Sequence, residues 1–469
     1  MRDLIQGGSV EDGERLPATR ELAGQLGLNR TTVSAAYSLL EEAGLLEGHV
    51  GRGSFVVRRE TNAARSGTDW DAILAPAERG LPAAVQDAAI NFANSRPAGG
   101  AFPLTQFRKI AKQVIDRADA AEILQLGSPH GYGPLRRYLL KEAAASGIAR
   151  GSDELVITNG CQQALDLIAR LFGAGGQTVA LEDPVYHGEL RVFSRAGANV
   201  VPVPLDQGGI DVDALEEILE RNRPRLLIVT PSFQNPTGAT LPLERRKRIV
   251  VLARKFGVVL VENDIYSELR YRGTALPRLK ALDETGNTVL LGSYSKVSFP
   301  GLRVGWVIAP RAVIARLAEV KQITDLHSDQ LSQAVLLRFA ESGELERHIE
   351  RTREAGAQRL EAVLRACGRY LPEGATYTRP EGGMNLWIEL PAPLEAESLL
   401  RRVEERGVSY LPGRHFSVRA GTGRGLRISF GGLTPEEITR GIRIIGEAAN
   451  EELAAHPAHM NFEPLTALV

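Results

Sequence analysis

Apolar runs of strand length alternate with stretches of helical periodicity from about residue 90 onward. The runs ELVITNG, TVALEDP, RLLIVTP, VVLVEND, TVLLGSYSK and RVGWVIAP begin at positions 154, 178, 225, 258, 288 and 303. Their alternation with helices predicts a mostly parallel sheet that is covered by helices on both faces. Beyond about residue 320 the helices become longer and more charged, and short strands follow near Trp387 and Arg427. This part predicts a smaller closing α+β domain.

The first 57 residues predict two short helices and a hairpin. Gly27 separates the helices, and Asn29 is placed to cap the second one. The predicted apolar faces are Leu22, Ala23 and Leu26 in the first helix and Val33, Ala36, Tyr37 and Leu40 in the second. Two strands joined by Gly51-Arg52-Gly53 follow as a wing. The pattern indicates a winged helix-turn-helix, although helix spacing alone also fits any small helical domain followed by a hairpin.

The run RLPATRELAGQLGLNRTTVSAAYSLLEEAGLL, with GRGSFV after it, closely resembles the winged helix of GntR-type transcription regulators. The resemblance implies a double-stranded DNA operator as partner. It implies that the DNA-contacting residues are Arg20, Asn29, Arg30, Thr31, Thr32 and Arg52. The family's first helix begins several residues earlier than this chain, so we expect an earlier true start or a weakened domain. The polar residues 58–82 lack periodicity and predict a linker.

Composition limits the possible functions. The 469 residues carry a net charge of -1, which excludes a globally basic nucleic-acid binder, and residues 1–60 hold seven arginines against nine acids. The two cysteines, Cys161 and Cys367, lie far apart without metal-ligand spacing, so we expect neither a disulfide nor a metal site. No apolar run reaches the length of a membrane span, and the first residues of the sequence lack the apolar core of a signal peptide. We expect a cytoplasmic protein without membrane contact.

Lys296 raises the main chemical question of the sequence, because it ends the predicted buried strand of VLLGSYSKVSFPGLRVGW. A lysine at such a position has three plausible roles. It can extend its amine to the surface, bind a phosphate, or form a Schiff base in a pocket that favours the neutral amine. The neighbouring segments decide among these roles.

Four other segments place an anion site, an aromatic ring, an amide and an acid at strand ends, where they could bind a cofactor. Gly160-Cys161-Gln162 begins a helix after a strand, which makes an anion site from backbone N–H groups. Tyr186 follows a strand end and can stack on a ring, and Asn235 is held among turn residues and can donate to a phenolic oxygen. VVLVENDIYSELRY brings an acid and Tyr266 to another strand end. Each feature alone also fits an ordinary turn or core contact, but the carboxyl ends of such strands line one crevice.

Residues from about 90 to 450 resemble a fold-type I aminotransferase, through NPTG, SYSK and the arginine seven residues after the lysine. The resemblance implies that Lys296 forms the Schiff base with pyridoxal 5′-phosphate and is the catalytic residue. It implies that the phosphate is bound by Gly160, Cys161, Gln162, Ser293, Ser295 and Arg303. Tyr266 and Asn235 would bind the phenolic oxygen, and Arg427, in GRGLRISFGG, would bind the α-carboxylate of an amino acid.

Two positions depart from the family pattern. The acid at the pyridine nitrogen is normally three residues before the tyrosine, but here Asn263 has that place and Asp264 follows it. Strand alternation lets only one of the two face the cofactor, and the sequence leaves open which one. Leu126 stands where relatives often carry a tyrosine that reaches the partner subunit's phosphate.

The combination of the two parts resembles the MocR/GabR subgroup of GntR regulators. It implies a homodimeric transcription regulator that senses pyridoxal phosphate or an amino compound. The alternative is an active aminotransferase with a vestigial DNA-binding domain, and a scaffold that only dimerises the winged helix is a weaker third hypothesis. We expect the winged helix in residues 1–58, a linker in 59–88 and the aminotransferase-like domain in 89–460. Its large part would span about 115–315, and its small part about 316–460 together with the arm 89–114.

Overall fold

The computed structural model describes residues 4–5, 10–49, 53–57, 68, 70, 88–419 and 423–455. The chain divides into two compact units, Met1–Gly80 and Leu81–Val469. No helix in the described ranges is long and apolar enough to cross a membrane.

In the described part of the first unit, two helices with defined bounds precede an antiparallel hairpin. The helices are Thr19–Leu26 and Arg30–Glu42, and the strands are β1 (Leu46–His49) and β2 (Gly53–Val56). The first helix ends because Gly27 takes a left-handed φ of 66°, which costs a glycine little. The second begins at Asn29, whose side-chain oxygen accepts a hydrogen bond from the Thr31 backbone N–H at 3.1 Å.

The core of the first unit confirms part of the predicted apolar faces. Val33, Tyr37 and Leu40 are buried, and the Tyr37 hydroxyl donates to the Pro17 carbonyl at 2.7 Å. The predictions for Leu26 and Ala36 were wrong, because both are exposed. So small a unit has enough apolar partners to cover only a narrow stripe of each helix.

The second unit contains the helices and strands that build the site. Its helices are Leu104–Ile115, Ala120–Ile123, Gly133–Ala145, Gly160–Ile168, His187–Arg195, Val212–Asn222, Leu243–Phe256, Leu279–Leu282, Arg311–Asp325, Gln330–Glu341, Glu344–Tyr370, Ala396–Glu404 and Pro435–Ala455. Its strands are β3 (Ile90–Asn91), β4 (Asp153–Asn159), β5 (Thr178–Asp183), β6 (Asn199–Asp206), β7 (Gly209–Ile210), β8 (Leu226–Val229), β9 (Val259–Asp264), β10 (Thr288–Ser293), β11 (Val304–Pro310), β12 (Thr376–Tyr377), β13 (Asn385–Glu389), β14 (Val408–Ser409), β15 (Leu411–Pro412) and β16 (Gly425–Ser429).

The large sheet has the strand order β4-β11-β10-β9-β8-β5-β6-β7. The neighbours from β10 through β6 are parallel, while β11 is antiparallel to both β10 and β4. All six predicted strands of this sheet are present, and the mostly parallel sheet is confirmed. The sequence missed β6, because Pro202 and Pro204 interrupt its pattern. The helix Arg311–Asp325 packs on this sheet through Ile314 and Leu317.

The topology brings the carboxyl ends of several strands to one edge of the large sheet. The parallel strands β5, β8, β9 and β10 all end there, and β4 points the same way as β10 because β11 runs against both. The residues that follow these strands therefore meet at one crevice. Separately, the four-stranded sheet β12-β13-β16-β15 carries Arg427 opposite Trp387 and Leu411, so the strands predicted near Trp387 and Arg427 are confirmed.

Candidate functional site

A cavity of about 360 Å³ lies at this carboxyl edge. Most side chains that the sequence indicated for a cofactor line it together. They are Cys161, Gln162, Tyr186, Asn235, Asn263, Tyr266, Ser293, Ser295, Lys296, Arg303 and Arg427. The cavity therefore joins residues from remote parts of the chain.

Lys296 follows the end of β10 and extends a half-buried amine into the cavity. Its Nζ donates to the backbone carbonyl of Ser95 at 2.7 Å and lies 5.8 Å from the centroid of the Tyr266 ring. No carboxylate among the described residues forms an ion pair with it. The amine is thus held within the cavity by a neutral carbonyl.

The cradle for an anion is formed where β4 leads into the helix Gly160–Ile168. Gly160 has a φ of +76°, and a Cβ there would lie 2.2 Å from the Arg303 guanidinium. That guanidinium donates to the Asn159 carbonyl at 3.2 Å, and the hydroxyls of Ser293 and Ser295 are 2.9 Å apart. A helix N-terminus, an arginine and two hydroxyls are donors that fit a phosphate.

Two tyrosine rings, an asparagine and an arginine line the centre of the cavity. Asn235 Nδ2 lies 3.5 Å from the Tyr266 hydroxyl, and Arg427 Nη1 donates to Asn235 Oδ1 at 3.2 Å. Burial raises the pKa of Tyr186 to about 12, with the nearby Tyr266 and Glu189 adding to the shift. Tyr186 therefore stays neutral, as an aromatic surface for a ring requires.

Arg427 is a buried cation without an acidic partner in the described chain. Burial lowers its pKa to about 10, and its Nε has no hydrogen-bond partner. Besides Asn235, its guanidinium contacts the Ala93 carbonyl. A buried charge is costly unless it is paired, so the arrangement suits a carboxylate ligand.

Asn263 and Asp264 point to opposite faces of β9. Asn263 lines the cavity, donates from Nδ2 to Glu189 Oε1 at 2.6 Å, and leaves its buried Oδ1 without a partner. Asp264 instead pairs with Arg278 and lines a separate cavity. The suggestion that Asp264 reaches the cofactor is therefore corrected, because side chains alternate along a strand.

Several residues that lie in or beside the cavity are not indicated by any sequence pattern. The segment 93–97 lines the cavity and supplies the Ser95 carbonyl, yet it carries no motif. Glu189 contacts Asn263 across 74 positions, which no local pattern reveals. Burial raises its pKa to about 7, while burial and the nearby Arg427 lower the pKa of His187 to about 4.

The remaining predicted residues lie elsewhere. Gly160 does not line the cavity itself but begins the cradle, and Leu126 is 73% exposed. The DNA candidates described by the structure are all exposed or partly exposed, namely Arg20, Asn29, Arg30, Thr31 and Thr32. Arg52, at the predicted wing tip, and most of the predicted linker lie outside the described residues.

Comparison with known proteins identifies two domains. The model of aminotransferase class I and II matches residues 89–445, and that of bacterial regulatory proteins, gntR family, matches residues 1–56. The 2-aminoadipate transaminase of Thermus thermophilus is 39% identical over 368 residues, which are 78% of this chain and 91% of the relative. The crystal structure of LysN, the alpha-aminoadipate aminotransferase of the same species, complexed with N-(5′-phosphopyridoxyl)-L-leucine, has 37% identity and a TM-score of 0.73, covering 78% of this chain and 93% of LysN.

Transcription regulators match nearly the whole chain. The HTH-type transcriptional regulator YdfD of Bacillus subtilis is 30% identical over 457 residues, which are 95% of this chain and 94% of the relative. The probable rhizopine catabolism regulatory protein MocR of Rhizobium meliloti is 29% identical over 457 residues, 96% of this chain and 92% of the relative.

Fold, cavity and matches define a pyridoxal-phosphate-dependent protein, and the chain belongs to the aminotransferase class I and II family. Because a GntR domain precedes this body, and because transcription regulators match nearly the whole chain, the chain is a transcription regulator of the MocR type. The GntR domain implies DNA binding, and the aminotransferase-like domain implies a small amino-compound ligand.

Proposed function

We propose that this regulator holds pyridoxal phosphate through Lys296 and senses an amino compound, or the cofactor itself, in the same cavity. The observation that carries the proposal is the convergence of Lys296, an anion cradle and the unpaired Arg427 on one space of about 360 Å³. When bound, the cofactor supplies an aldehyde that reacts reversibly with amines.

Different side chains would bind different parts of the cofactor and of the amino acid ligand. Gly160-Cys161-Gln162, Ser293, Ser295 and Arg303 would hold the phosphate, since backbone N–H groups, hydroxyls and a guanidinium all donate to it. Tyr186 would cover the ring, and Asn235 with Tyr266 would donate to its phenolic oxygen. Arg427 would bind the carboxylate of an amino acid ligand, which would compensate its buried charge.

Regulation needs a homodimer whose geometry depends on the ligand. We propose the domain boundaries 1–58, 59–88 and 89–460, a cytoplasmic location and a two-fold symmetric dimer, because a palindromic operator presents two equivalent half-sites. A ligand that binds two dimer geometries with different affinity would shift the spacing of two winged helices. Light scattering of the protein with and without an operator duplex would test the dimer.

The cofactor and the DNA can be tested on one preparation. The visible spectrum of the full chain with pyridoxal phosphate would be titrated with a panel of amino acids, and duplexes selected from a random pool would be used in gel shifts. We expect a Lys296-dependent band that shifts with one amino compound, together with DNA binding that responds to that compound. Lys296→Ala should abolish both responses, whereas Lys247→Ala, which changes an exposed lysine, should keep them.

An active aminotransferase is the second function that the cavity supports. It is favoured by Arg427, which has no acidic partner among the described residues and lines the same cavity as Lys296, and by the 39% identity to a transaminase. Conversion of the cofactor band over many turnovers, with no duplex selected from the pool, would contradict the sensor and establish the enzyme. Slow or absent turnover with ligand-dependent DNA binding would exclude this second function as the main one.

A further inference from the structure

Glu189 and Asn263 form a buried pair beside the cofactor cavity. Glu189 lies in the first turn of the helix His187–Arg195, and Asn263 lies on β9. Their exposures are only 1% and 4%, and the hydrogen bond between them measures 2.6 Å. Asn263 Oδ1 is left without a partner while its side chain lines the cavity. A buried acceptor without a donor indicates that a donor is supplied from the cavity.

The chemistry of the pair fixes which atom of Asn263 remains unpaired. In its ionised form the Glu189 carboxylate only accepts hydrogen bonds, so it then binds the NH₂ of the Asn263 amide and leaves the amide oxygen unpaired. That oxygen can accept a hydrogen bond from an N–H group but cannot donate to a lone pair. A pyridine nitrogen facing it is therefore bound well only when it carries a proton.

We propose that Glu189 is a positioning residue that, through Asn263, keeps the pyridine nitrogen of the bound cofactor protonated. Asn263 stands where the family pattern has an acid. The negative charge is therefore carried by Glu189, which contacts Asn263, and not by the residue that faces the ring. The inference rests on the cofactor site proposed around Lys296. It also deepens that proposal, because a charge relayed through an amide makes a weaker electron sink and favours binding over turnover.

The surroundings of Glu189 supply no competing cation. No ion pair joins it to any lysine, arginine or histidine in the described ranges. Glu182, at the end of β5, and Tyr186 are near enough that Glu189 adds to the rise that burial causes in the pKa of each. Glu182 is itself held by the Gln234 amide and the Thr230 N–H. Burial raises the pKa of Glu189 to about 7. A protonated ring nearby would act against this shift, because a positive charge favours the ionised carboxylate.

The direct test is the protonation state of the ring nitrogen in the full chain. Cofactor labelled with ¹⁵N in the ring would be bound, and the ¹⁵N chemical shift would be followed with pH. We expect a protonated ring nitrogen in the native chain above pH 7. Glu189→Gln should lower the apparent pKa of the ring nitrogen by about 1 unit or more, because the negative charge of residue 189 and the fixed orientation of the Asn263 amide are both lost.

A double variant separates positioning from a merely structural role. Glu189→Gln combined with Asn263→Asp should restore the protonated ring nitrogen, because a carboxylate then faces it directly, and should speed transamination relative to the native chain. Glu182→Gln removes another buried carboxylate that does not contact Asn263, and should leave the ring nitrogen protonated.

The outcomes distinguish this inference from the function proposed above. Bound cofactor with an unprotonated ring nitrogen in the native chain, or an unchanged nitrogen pKa in Glu189→Gln, would overturn the role of Glu189 alone. Absence of any Lys296-dependent band in the native chain would overturn both. The first measurement needs only the native chain, so a Glu189 variant that fails to fold leaves the inference open to contradiction.

Discussion

At the scale of one residue, the surroundings of Arg427 indicate which ligand chemistry suits the cavity. Its guanidinium is buried, its Nε is unpaired, and its hydrogen bonds to Asn235 and Ala93 engage neutral oxygens only. Desolvation lowers its pKa to about 10, which is still far above neutral pH, so the group stays charged. The charge therefore gains most from a ligand that brings a carboxylate.

Arg427→Lys should weaken the binding of amino acids by about 10-fold to 100-fold, because a lysine cannot form the two parallel hydrogen bonds of a guanidinium with a carboxylate. The spectral titration with an amino acid would measure this loss. The corresponding amine without a carboxylate serves as the control, and its affinity should not fall. An equal loss for both ligands would mean that Arg427 acts on the cavity as a whole.

Glu189 gives the cofactor-free protein a pH-dependent stability. Its pKa in the folded chain, about 7, exceeds its ordinary value of 4.5, so the folded state holds the proton more tightly. This stabilisation is complete below pH 4.5 and is lost as the pH rises through 7. The glutamine of Glu189→Gln cannot ionise. As the pH rises from 4.5 to 7, the free energy of unfolding of this variant should therefore gain up to about 3 kcal/mol relative to that of the native chain.

Thermal or urea unfolding of the cofactor-free protein at several pH values would measure that difference. Glu244→Gln changes an exposed glutamate, and its free energy of unfolding should depend on pH as that of the native chain does. The same pH dependence of the unfolding free energy in Glu189→Gln and in the native chain would contradict the raised pKa of Glu189.

At the scale of elements, the junctions between strands and helices determine where the donors point. The helix Gly160–Ile168 starts directly after β4, and its first residue lies against the Arg303 guanidinium. Arg303 itself follows a short 3₁₀ turn with a left-handed φ of 55°. Two such backbone conformations side by side let a guanidinium and a helix N-terminus converge on one point.

Gly160→Ala should therefore weaken pyridoxal phosphate binding by about 10-fold or more, because the added Cβ lies 2.2 Å from Arg303 and the φ of +76° strains an alanine. Fluorescence titration would compare pyridoxal phosphate with pyridoxal, which lacks the phosphate and should lose less affinity. Gly151→Ala is the matched control, since nothing lies within 4 Å of its Cβ. Equal losses for both ligands would point to general unfolding.

At the scale of the whole molecule, each of the two units has its own core and its own set of exposed or convergent polar groups. The first unit buries a small cluster around Val33, Tyr37 and Leu40, while its exposed Arg30, Thr31 and Thr32 begin one helix. The second unit contains the cavity. This separation predicts that the DNA and cofactor contacts can be removed independently.

Arg30→Ala should weaken operator binding and reduce the slope of log affinity against log salt by about 1 if it contacts a phosphate. The cofactor spectrum should not change. Arg338→Ala removes an exposed arginine of the second unit and serves as the control, with unchanged DNA affinity. Gel shifts over a range of salt concentrations would measure both. A salt slope that stays the same in Arg30→Ala would exclude a phosphate contact by this residue.

The sequence by itself determined the two-part plan, six strands of the large sheet, and the segments that carry Lys296, Arg303 and Arg427. These features could be predicted because strand runs, helical periodicity and strand-end motifs are local patterns that depend on a few neighbouring residues. The burial of Val33, Tyr37 and Leu40 follows from the same periodicity.

Only the tertiary structure decided which groups meet at the cavity. Which of Asn263 and Asp264 faces it depends on how the pleat of β9 is oriented against its neighbours, and a shift by one residue would reverse the answer. Glu189 and the Ser95 carbonyl come from segments remote in the chain, so no local pattern marks them. Leu26 and Ala36 fit an apolar stripe, yet they lie beyond the surface that the other elements cover. Long-range packing sets these contacts, whereas local periodicity sets only the elements that carry them.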